Sequence, residues 1–413
     1  MLCVLIVSQK TVFMEVKNIV VLGRRNAGKS SLVNLLTGQN VSIVSEVAGT
    51  TTDPVRKRME IKGVGPCNII DTAGVDDSGD VGALRSSRSL REAVGADLAL
   101  ILFTGNNFLD YERNLAGLLK NSGVPFIIVH NQEDLEHLED DVRVSLSDEF
   151  KCPVVRFTCL KTISGMYLPE LVEAIADDLK QTGESDRELV PKSLAGEGDK
   201  VLLVCPIDAG APQGRLILPQ VQVLRNLLDN KSVVTVSQPS ELKDVFPDGK
   251  FKVVITDSQA FSEVAAAVPE GIPVGSFSIL FARRKGPFKL FLESVSTIDN
   301  LKDGDRVLIM ESCTHRASCD DIGRVKIPAL LKSYTGKNLE FEFVSGLDPV
   351  PDRKYALAIQ CGGCMSTSRQ IQSRVESIAE EKIPVTNYGL AIAFMKGLFG
   401  NRNFTDFLSL VDE

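Results

Sequence analysis

From residue 16 to about 179, short apolar runs alternate with stretches whose apolar positions recur at helical spacing. Val16–Leu22, Cys67–Asp71, Leu98–Phe103, Pro125–His130 and Val154–Thr158 read as strands, and Lys29–Leu36 as a helix. Strand, loop and helix in repetition predict a parallel sheet with helices on both faces. The polar segment Gln181–Asp199 has no period and predicts a linker. A smaller β/α unit follows, with strands at Val201–Cys205, Val233–Val236, Lys252–Thr256 and Pro273–Phe277 and a helix at Pro219–Leu228. A third unit starts near 275. It has a helix at Phe288–Leu301, strands at Val307–Glu311, Phe341–Val344, Tyr355–Gln360 and Ile383–Thr386, and helices at Ile327–Ser333, about 367–380 and Ala391–Phe399. The expected domains are 14–180, 200–272 and 273–413, with no internal repeat.

The 413 residues are 44% hydrophobic and 24% charged, an ordinary globular balance, and the net charge of −8 argues against nucleic acid as a partner. No apolar run reaches the length of a membrane span. Met1–Val7 is apolar but lacks the basic flank of a signal peptide, and Met14 offers an alternative start that leaves 1–13 as an extension. Nine cysteines, four of them between 313 and 364, suit a reduced cytoplasm and a metal or redox site better than a disulfide framework.

Gly23-Arg-Arg-Asn-Ala-Gly28-Lys29-Ser30 matches the phosphate-binding loop between a strand and a helix. Glycines there let consecutive backbone N–H groups close around phosphates, and Ala27 within the motif and Ser31 just after it are expected among the GTP-binding residues. Lys29 is expected on the β/γ-phosphates and Ser30 on Mg²⁺. Asp71-Thr-Ala-Gly74 ends a strand and offers a Mg²⁺-linked Asp71 and a Gly74 N–H that senses the γ-phosphate. Thr51, within Gly49-Thr-Thr51-Thr-Asp53, is placed to close on Mg²⁺ as a switch residue. Asn131-Gln132-Glu-Asp134 follows a buried strand and resembles the guanine-reading motif, with Asp134 accepting from the base. Gln132 stands where that motif has Lys, so weaker nucleotide binding is expected with guanine selectivity kept. Thr158-Cys159-Leu160 is placed to back the base. Five elements in this order predict a GTPase of the P-loop, Ras/Era-like class, with catalysis resting on Lys29, Thr51 and Gly74. The set looks most like the Era and tRNA-modification branch. Val75 occupies the position of the water-orienting Gln, and Asn26 matches the Asn that helps hold a monovalent cation, K⁺, at the phosphates in that branch.

Cys313-Thr-His315 and Cys361-Gly-Gly-Cys364 each follow a predicted strand of the third unit, so both loops are expected at one carboxyl edge. Cys313, His315, Cys361 and Cys364 fit a Cys₃His zinc site or an iron–sulfur cluster equally on spacing, with a Cys361–Cys364 redox pair a third reading. Asp320 and Asp321 are lesser candidates for a weak ligand. Cys3, Cys67, Cys152 and Cys205 sit in or beside apolar strands and read as core, and Cys319 as a bystander.

The combination resembles the FeFe-hydrogenase maturation GTPase family, from about residue 14 onward. The likeness includes Gly38-Gln-Asn-Val-Ser-Ile-Val-Ser-Glu46, Ala211-Pro-Gln-Gly-Arg-Leu-Ile-Leu-Pro-Gln220, Asp321-Ile-Gly-Arg-Val-Lys-Ile-Pro328 and Thr386-Asn-Tyr-Gly389. The resemblance implies a GTPase domain, a dimerisation domain and a cluster-binding domain. It implies a 4Fe-4S cluster on three cysteines with an exchangeable fourth site, and a diiron precursor carried between radical-SAM maturases and the apo-hydrogenase. Val221, Leu224, Leu227 and Leu228 share one helical stripe that periodicity assigns equally to the unit's own sheet or to a partner, and the resemblance implies a cytoplasmic homodimer formed through this middle unit. Gln360 occupies a position where the family often has His, and a neutral amide is a poor iron ligand. A ribosome- or RNA-associated GTPase with a structural zinc is the alternative, and the acidic balance counts against it.

Overall fold

Strand β1 (Lys17–Gly23) carries an unbroken apolar run because both faces of its sheet are covered. Ile19 and Val21 pack into one core, Val20 and Leu22 into another. The structure, a computed structural model, describes residues 16–38, 55–62, 64–72, 88–181, 188–207, 214, 216–247, 250–312, 321–346, 348, 350–364 and 366–412.

The first unit adds β2 (Val55–Ile61), β3 (Gly65–Asp71), β4 (Leu98–Thr104), β5 (Phe126–Asn131) and β6 (Val154–Arg156). Its helices are α1 (Lys29–Leu36), α2 (Arg88–Val94), α3 (Asp110–Asn121), α4 (Asp140–Phe150) and α5 (Ser164–Gln181). The sheet order is β2-β3-β1-β4-β5-β6, parallel except where β2 pairs antiparallel with β3. Strand β2 was not predicted. It is an edge strand carrying Arg56, Lys57, Arg58 and Glu60, and edge strands tolerate such charge.

The second unit holds β7 (Lys200–Val204), α6 (Leu218–Asp229), β8 (Val233–Ser237), α7 (Leu242–Val245), β9 (Val253–Thr256), α8 (Phe261–Ala267), β10 (Val274–Ser276) and α9 (Phe277–Lys285). The third holds α10 (Phe288–Ser294), β11 (Arg306–Glu311), α11 (Ile327–Thr335), β12 (Glu340–Ser345), β13 (Leu357–Gln360), α12 (Ser368–Glu380), β14 (Val385–Asn387), α13 (Tyr388–Met395) and α14 (Arg402–Asp412). Strand β10 completes the second sheet, beyond the expected edge at residue 272. Part of the expected linker is also core: Leu189, Val190, Leu194 and Ala195 are buried against the second sheet.

The two smaller units are twins, against the expectation of no internal repeat. Both sheets are fully parallel, with orders β10-β9-β7-β8 and β12-β11-β13-β14, so each runs second, first, third, fourth. Val204 pairs with Thr256 as Met310 pairs with Gln360. Matching backbone bonds recur: Val254 N–H to Pro273 and Ala358 N–H to Pro384, both at 2.9 Å, then Gly198 N–H to Lys231 and Gly304 N–H to Asn338 at 3.0 and 2.8 Å. Gly198-Asp-Lys-Val-Leu-Leu203 and Gly304-Asp-Arg-Val-Leu-Ile309 then stand at equivalent places, as do Ile272-Pro-Val274 and Ile383-Pro-Val385.

The twins exchange their closing helices. Helix α14, at the end of the third unit, lies on β10 of the second, where a Cβ on Gly275 would sit 2.0 Å from the Phe407 ring. Helix α10, next after the second unit, lies on β14 of the third, where the Thr386 hydroxyl donates to the Phe291 carbonyl at 2.9 Å. One continuous apolar core from Leu189 to Val411 results.

Candidate functional site

The turn after β1 is held in an uncommon backbone path, with Gly23, Asn26 and Gly28 at φ 147°, 64° and 87°. A Cβ on Gly23 would lie 2.5 Å from the Leu102 carbonyl oxygen, so glycine there lets the loop close on β4. Asn131 Nδ2 donates to the Ala27 carbonyl at 2.8 Å and fills the space a side chain at Gly28 would need. Helix α1 begins at Gly28 with no side-chain cap, which leaves its amino end available to an anion. Lys29 is buried, and its Nζ donates to the carbonyls of Gly23 at 2.9 Å and Arg24 at 2.7 Å. Burial pushes its pKa down while the charge of Asp71 opposes the shift. Asn26, Ser30 and Ser31 are exposed around the same turn.

Asp71, at the end of β3, has a buried Oδ1 with no hydrogen-bond partner. Burial raises its carboxyl above the usual value, and hydrogen bonding to Ser30 partly offsets the rise. An uncompensated carboxylate oxygen beside a hydroxyl is a fitting donor pair for a hard divalent cation such as Mg²⁺. Thr51 and Gly74 lie outside the described residues.

Beyond β5, Gln132 turns the chain at φ 65°. Asp134 is exposed, and its Oδ1 accepts from the buried Thr158 hydroxyl, which in turn accepts the Leu160 N–H at 3.1 Å. The Cys159 thiol, pushed up to about 11 by burial, donates to Asn131 Oδ1 at 3.6 Å. Asn131 is therefore a brace between this segment and the phosphate loop, while Asp134 is the exposed acceptor. Two features went unread in the sequence. Arg24 Nε meets the buried Glu112 at 2.6 Å, and Glu133 bridges His130 at 2.8 Å and His137 at 3.1 Å. Each pairs groups whose separation carries no motif.

In the third sheet β11 and β13 are parallel neighbours, so their carboxyl ends lie side by side. The Cys361 N–H donates to the Met310 carbonyl at 2.9 Å. Its sulfur accepts the Ser312 N–H at 3.1 Å, lies 3.0 Å from Ser312 Oγ and 3.5 Å from Gln360 Nε2. Gln360 is fully buried and its Nε2 also donates to Ser312 Oγ at 3.0 Å. Here Gln360 is a donor towards the sulfur and braces the strand end. Donors around a thiolate stabilise it as a metal ligand. Gly363 turns the loop at φ 64° between the two cysteines. Cys313, His315, Cys319 and Asp320 lie outside the described residues, as does Cys3. Among the described residues no group of three or more His, Cys, Asp or Glu is gathered for a metal. Cys67, Cys152 and Cys205 are each pushed up to about 12, mainly by burial, as inert core thiols are.

Residues 190–286 match the hydrogen maturase F dimerization domain and residues 289–404 the hydrogen maturase F tetramerization domain. Both descriptions name one maturase, and the matched stretches abut at the junction between the twin units. The chain belongs to the hydrogen maturase F family. Residues 18–132 match a 50S ribosome-binding GTPase domain, so the order along the chain is GTPase domain, dimerization domain, tetramerization domain. The family's junction after residue 286 keeps β10 and α9 in the dimerization domain, as the sheet does.

The tRNA modification GTPase MnmE of Staphylococcus epidermidis is 35% identical over 161 residues, 37% of this chain and 33% of that protein. MnmE of Neisseria gonorrhoeae is 39% identical over 131 residues, 31% of this chain and 28% of that protein. The chain thus spans about a third of the length of the curated relatives it matches. Among solved structures, the G domain of the T. maritima FeoB iron transporter aligns at 22% identity and a TM-score of 0.30, covering 40% of this chain and 99% of that one. Among the described residues no helix is long and apolar enough to cross a membrane.

Proposed function

We propose that this hydrogen maturase F protein hydrolyses GTP and carries an iron–sulfur cluster in the maturation of FeFe-hydrogenase. In this reading it holds a diiron precursor made with radical-SAM maturases and passes it to the apo-hydrogenase. The observation that carries the reading is the position of Cys361. Its sulfur accepts from the Ser312 N–H and Gln360 Nε2 at the meeting of two strand ends, beside the point where Ser312 leads directly into Cys313.

Cys313, Cys361 and Cys364 supply three thiolates, and His315 is the candidate for a weak fourth position. A 4Fe-4S cluster so held supplies an iron at which an incoming ligand binds and later leaves. Gln360 stays outside the ligand set and orients Cys361 through Ser312. On the nucleotide, Lys29 leaves its two carbonyl partners for the β/γ-phosphates, and Ser30 and Asp71 hold Mg²⁺ with Thr51. Asp134 accepts from the guanine donors, with Thr158 and Cys159 behind the base. K⁺ beside Asn26 adds positive charge at the phosphates, where Val75 leaves no side chain to orient water.

The middle unit forms the homodimer. On α6, Leu227 is buried against its own sheet, whereas Val221 and Leu228 are exposed. They are joined by exposed Val233 and Val236 on β8, the edge strand of that sheet. Exposed apolar side chains on an unpaired edge favour pairing with a second copy. The expected setting is the cytoplasm, without nucleic acid or membrane as partner.

Metal analysis of anaerobically purified full-length protein tests the reading. Iron with acid-labile sulfide is expected. Stoichiometric zinc without sulfide would overturn it in favour of a ribosome- or RNA-associated GTPase with a zinc-stabilised domain, a class to which the description of the first domain lends its name.

A further inference from the structure

Lys285 is the last residue of α9 and belongs to the dimerization domain, yet its side chain enters the cysteine loop of the next domain. It is 3% exposed. Its Nζ donates to the Gly363 carbonyl at 2.9 Å and the Ser366 carbonyl at 2.6 Å, the two carbonyls that bracket Cys364. Gly363 also accepts the Ser366 N–H at 3.0 Å, so the lysine closes over a turn already formed. The loop lies against α9 along its length: a Cβ on Gly362 would sit 3.6 Å from Ser278 Oγ and 3.8 Å from Phe281 Cβ.

The twin fold supplies an internal comparison. Lys396 follows α13 at the place Lys285 holds on α9, and its Nζ reaches the Gln259 carbonyl, the counterpart of Gly363, at 3.3 Å. That lysine is exposed, and the loop it touches, Asp257-Ser-Gln259, has no cysteine. Each twin therefore lends a lysine to the other's carboxyl edge. Only the one at the cysteine loop is buried and clamps two carbonyls.

We propose that Lys285 is a positioning residue for the Cys361–Cys364 loop, which fixes the turn and brings a positive charge to the metal-bound thiolates. The proposal rests on the reading of these cysteines as cluster ligands. A buried ammonium is retained only where hydrogen bonds hold it, and charge-assisted bonds hold a loop more firmly than neutral ones. Three thiolates around a cluster concentrate negative charge that grows on reduction, and net charge nearby sets the potential. Because Lys285 extends from α9, which also packs on α6, the turn is set from the same unit that offers the dimer surface.

The test uses full-length protein loaded anaerobically with ferrous iron and sulfide: the wild type, Lys285→Met, Lys285→Arg and Lys396→Met. In Lys285→Met the reduced-to-oxidised ratio at a fixed potential should fall about tenfold, 59 mV for a one-electron couple. Iron should also pass to a chelator several-fold faster. Lys285→Arg and Lys396→Met should stay within about twofold of the wild type in both measures. Unchanged potential and iron loss in Lys285→Met would overturn the proposal, as would an equal shift in Lys396→Met. If Lys285→Met does not fold by circular dichroism, Lys285→Gln is judged by the same two measures. If the wild type takes up no iron and sulfide, the cluster reading fails instead. Alkylation of Cys364 in the metal-free chain then decides, with several-fold faster reaction in Lys285→Met expected and an equal rate overturning the positioning role.

Discussion

Arg369 donates Nη2 to the Ser122 carbonyl at 2.5 Å, joining the first turn of α12 to the residue that caps α3. Beside it, a Cβ on Gly95 would lie 3.1 Å from Gln370 Cγ, so the GTPase domain and the cysteine-bearing domain touch closely there. Helix α3 starts near the phosphate loop, where Glu112 receives Arg24, and runs about 18 Å to this contact. Arg369→Ala should remove about 1–2 kcal/mol of docking. Limited proteolysis between the GTPase domain and the rest should accelerate several-fold, with GTP affinity unchanged within about twofold. Equal proteolysis rates would mean that the bond does not hold the domains together.

Lys29→Ala should weaken GTP binding by more than about a hundredfold, since the loop loses the cation for the β/γ-phosphates. Asp134→Asn should shift preference from guanosine to xanthosine nucleotides, because an amide offers the donor that the xanthine oxygen needs. Competition binding with the four nucleotides, GTP, ATP, XTP and ITP, reads both effects.

What the sequence reveals depends on whether the chemistry is local. The run Ile19–Leu22 announces a strand covered on both faces, and Gly23 to Ser30 announces a phosphate loop, because each residue's role follows from its neighbours. Strand β2 hides because Arg56, Lys57, Arg58 and Glu60 outweigh its pattern. Leu189, Val190, Leu194 and Ala195 were lost in polar surroundings although they are core. The duplication of the two smaller units is visible only once Val204 and Met310 are placed in equivalent registers, since the matching residues form short islands. Arg24 with Glu112 and Lys285 with Gly363 join residues 88 and 78 apart, and nothing local marks either partner.

GTP hydrolysis should be slow, and several-fold faster in K⁺ than in Na⁺ of the same ionic strength. Asn26 lies exposed on the phosphate loop in the left-handed region, and no side chain at Val75 can orient water. Phosphate release measured in the two salts decides the point. Equal rates would remove the cation from the mechanism and leave the GTPase reading in place.

The raised carboxyl of Asp71 gives a pH dependence with a defined sign. In the metal-free protein the protonated form is favoured by folding, so its contribution to stability is present below the ordinary carboxylate value and lost as pH rises through the raised one. Mg²⁺ binds the ionised form. Mg²⁺ affinity should therefore decline from neutral pH down towards the ordinary carboxylate value, earlier than an exposed aspartate would allow. Calorimetric Mg²⁺ titration in the presence of GDP checks this, and affinity flat over that range would place the metal elsewhere.

Cys313, Cys361 and Cys364 should each be indispensable for the cluster, whereas His315 should tune it. Three thiolates suffice to anchor a cubane, and the fourth iron accepts imidazole, carboxylate, water or an incoming ligand. A carrier needs that position to exchange. Gln360 commits its Nε2 to Ser312 and the Cys361 sulfur and leaves only a neutral amide oxygen, a poor iron ligand, so it offers no good replacement for a lost fourth ligand. Each Cys→Ser variant should lose the visible absorbance and the reduced-state EPR signal of the reconstituted protein. His315→Ala should keep a cluster, with altered g-values and faster exchange of added ligands. If His315→Ala prevents assembly as fully as Cys361→Ser does, the site is closed by four fixed ligands, and a precursor would have to be carried somewhere other than the fourth iron.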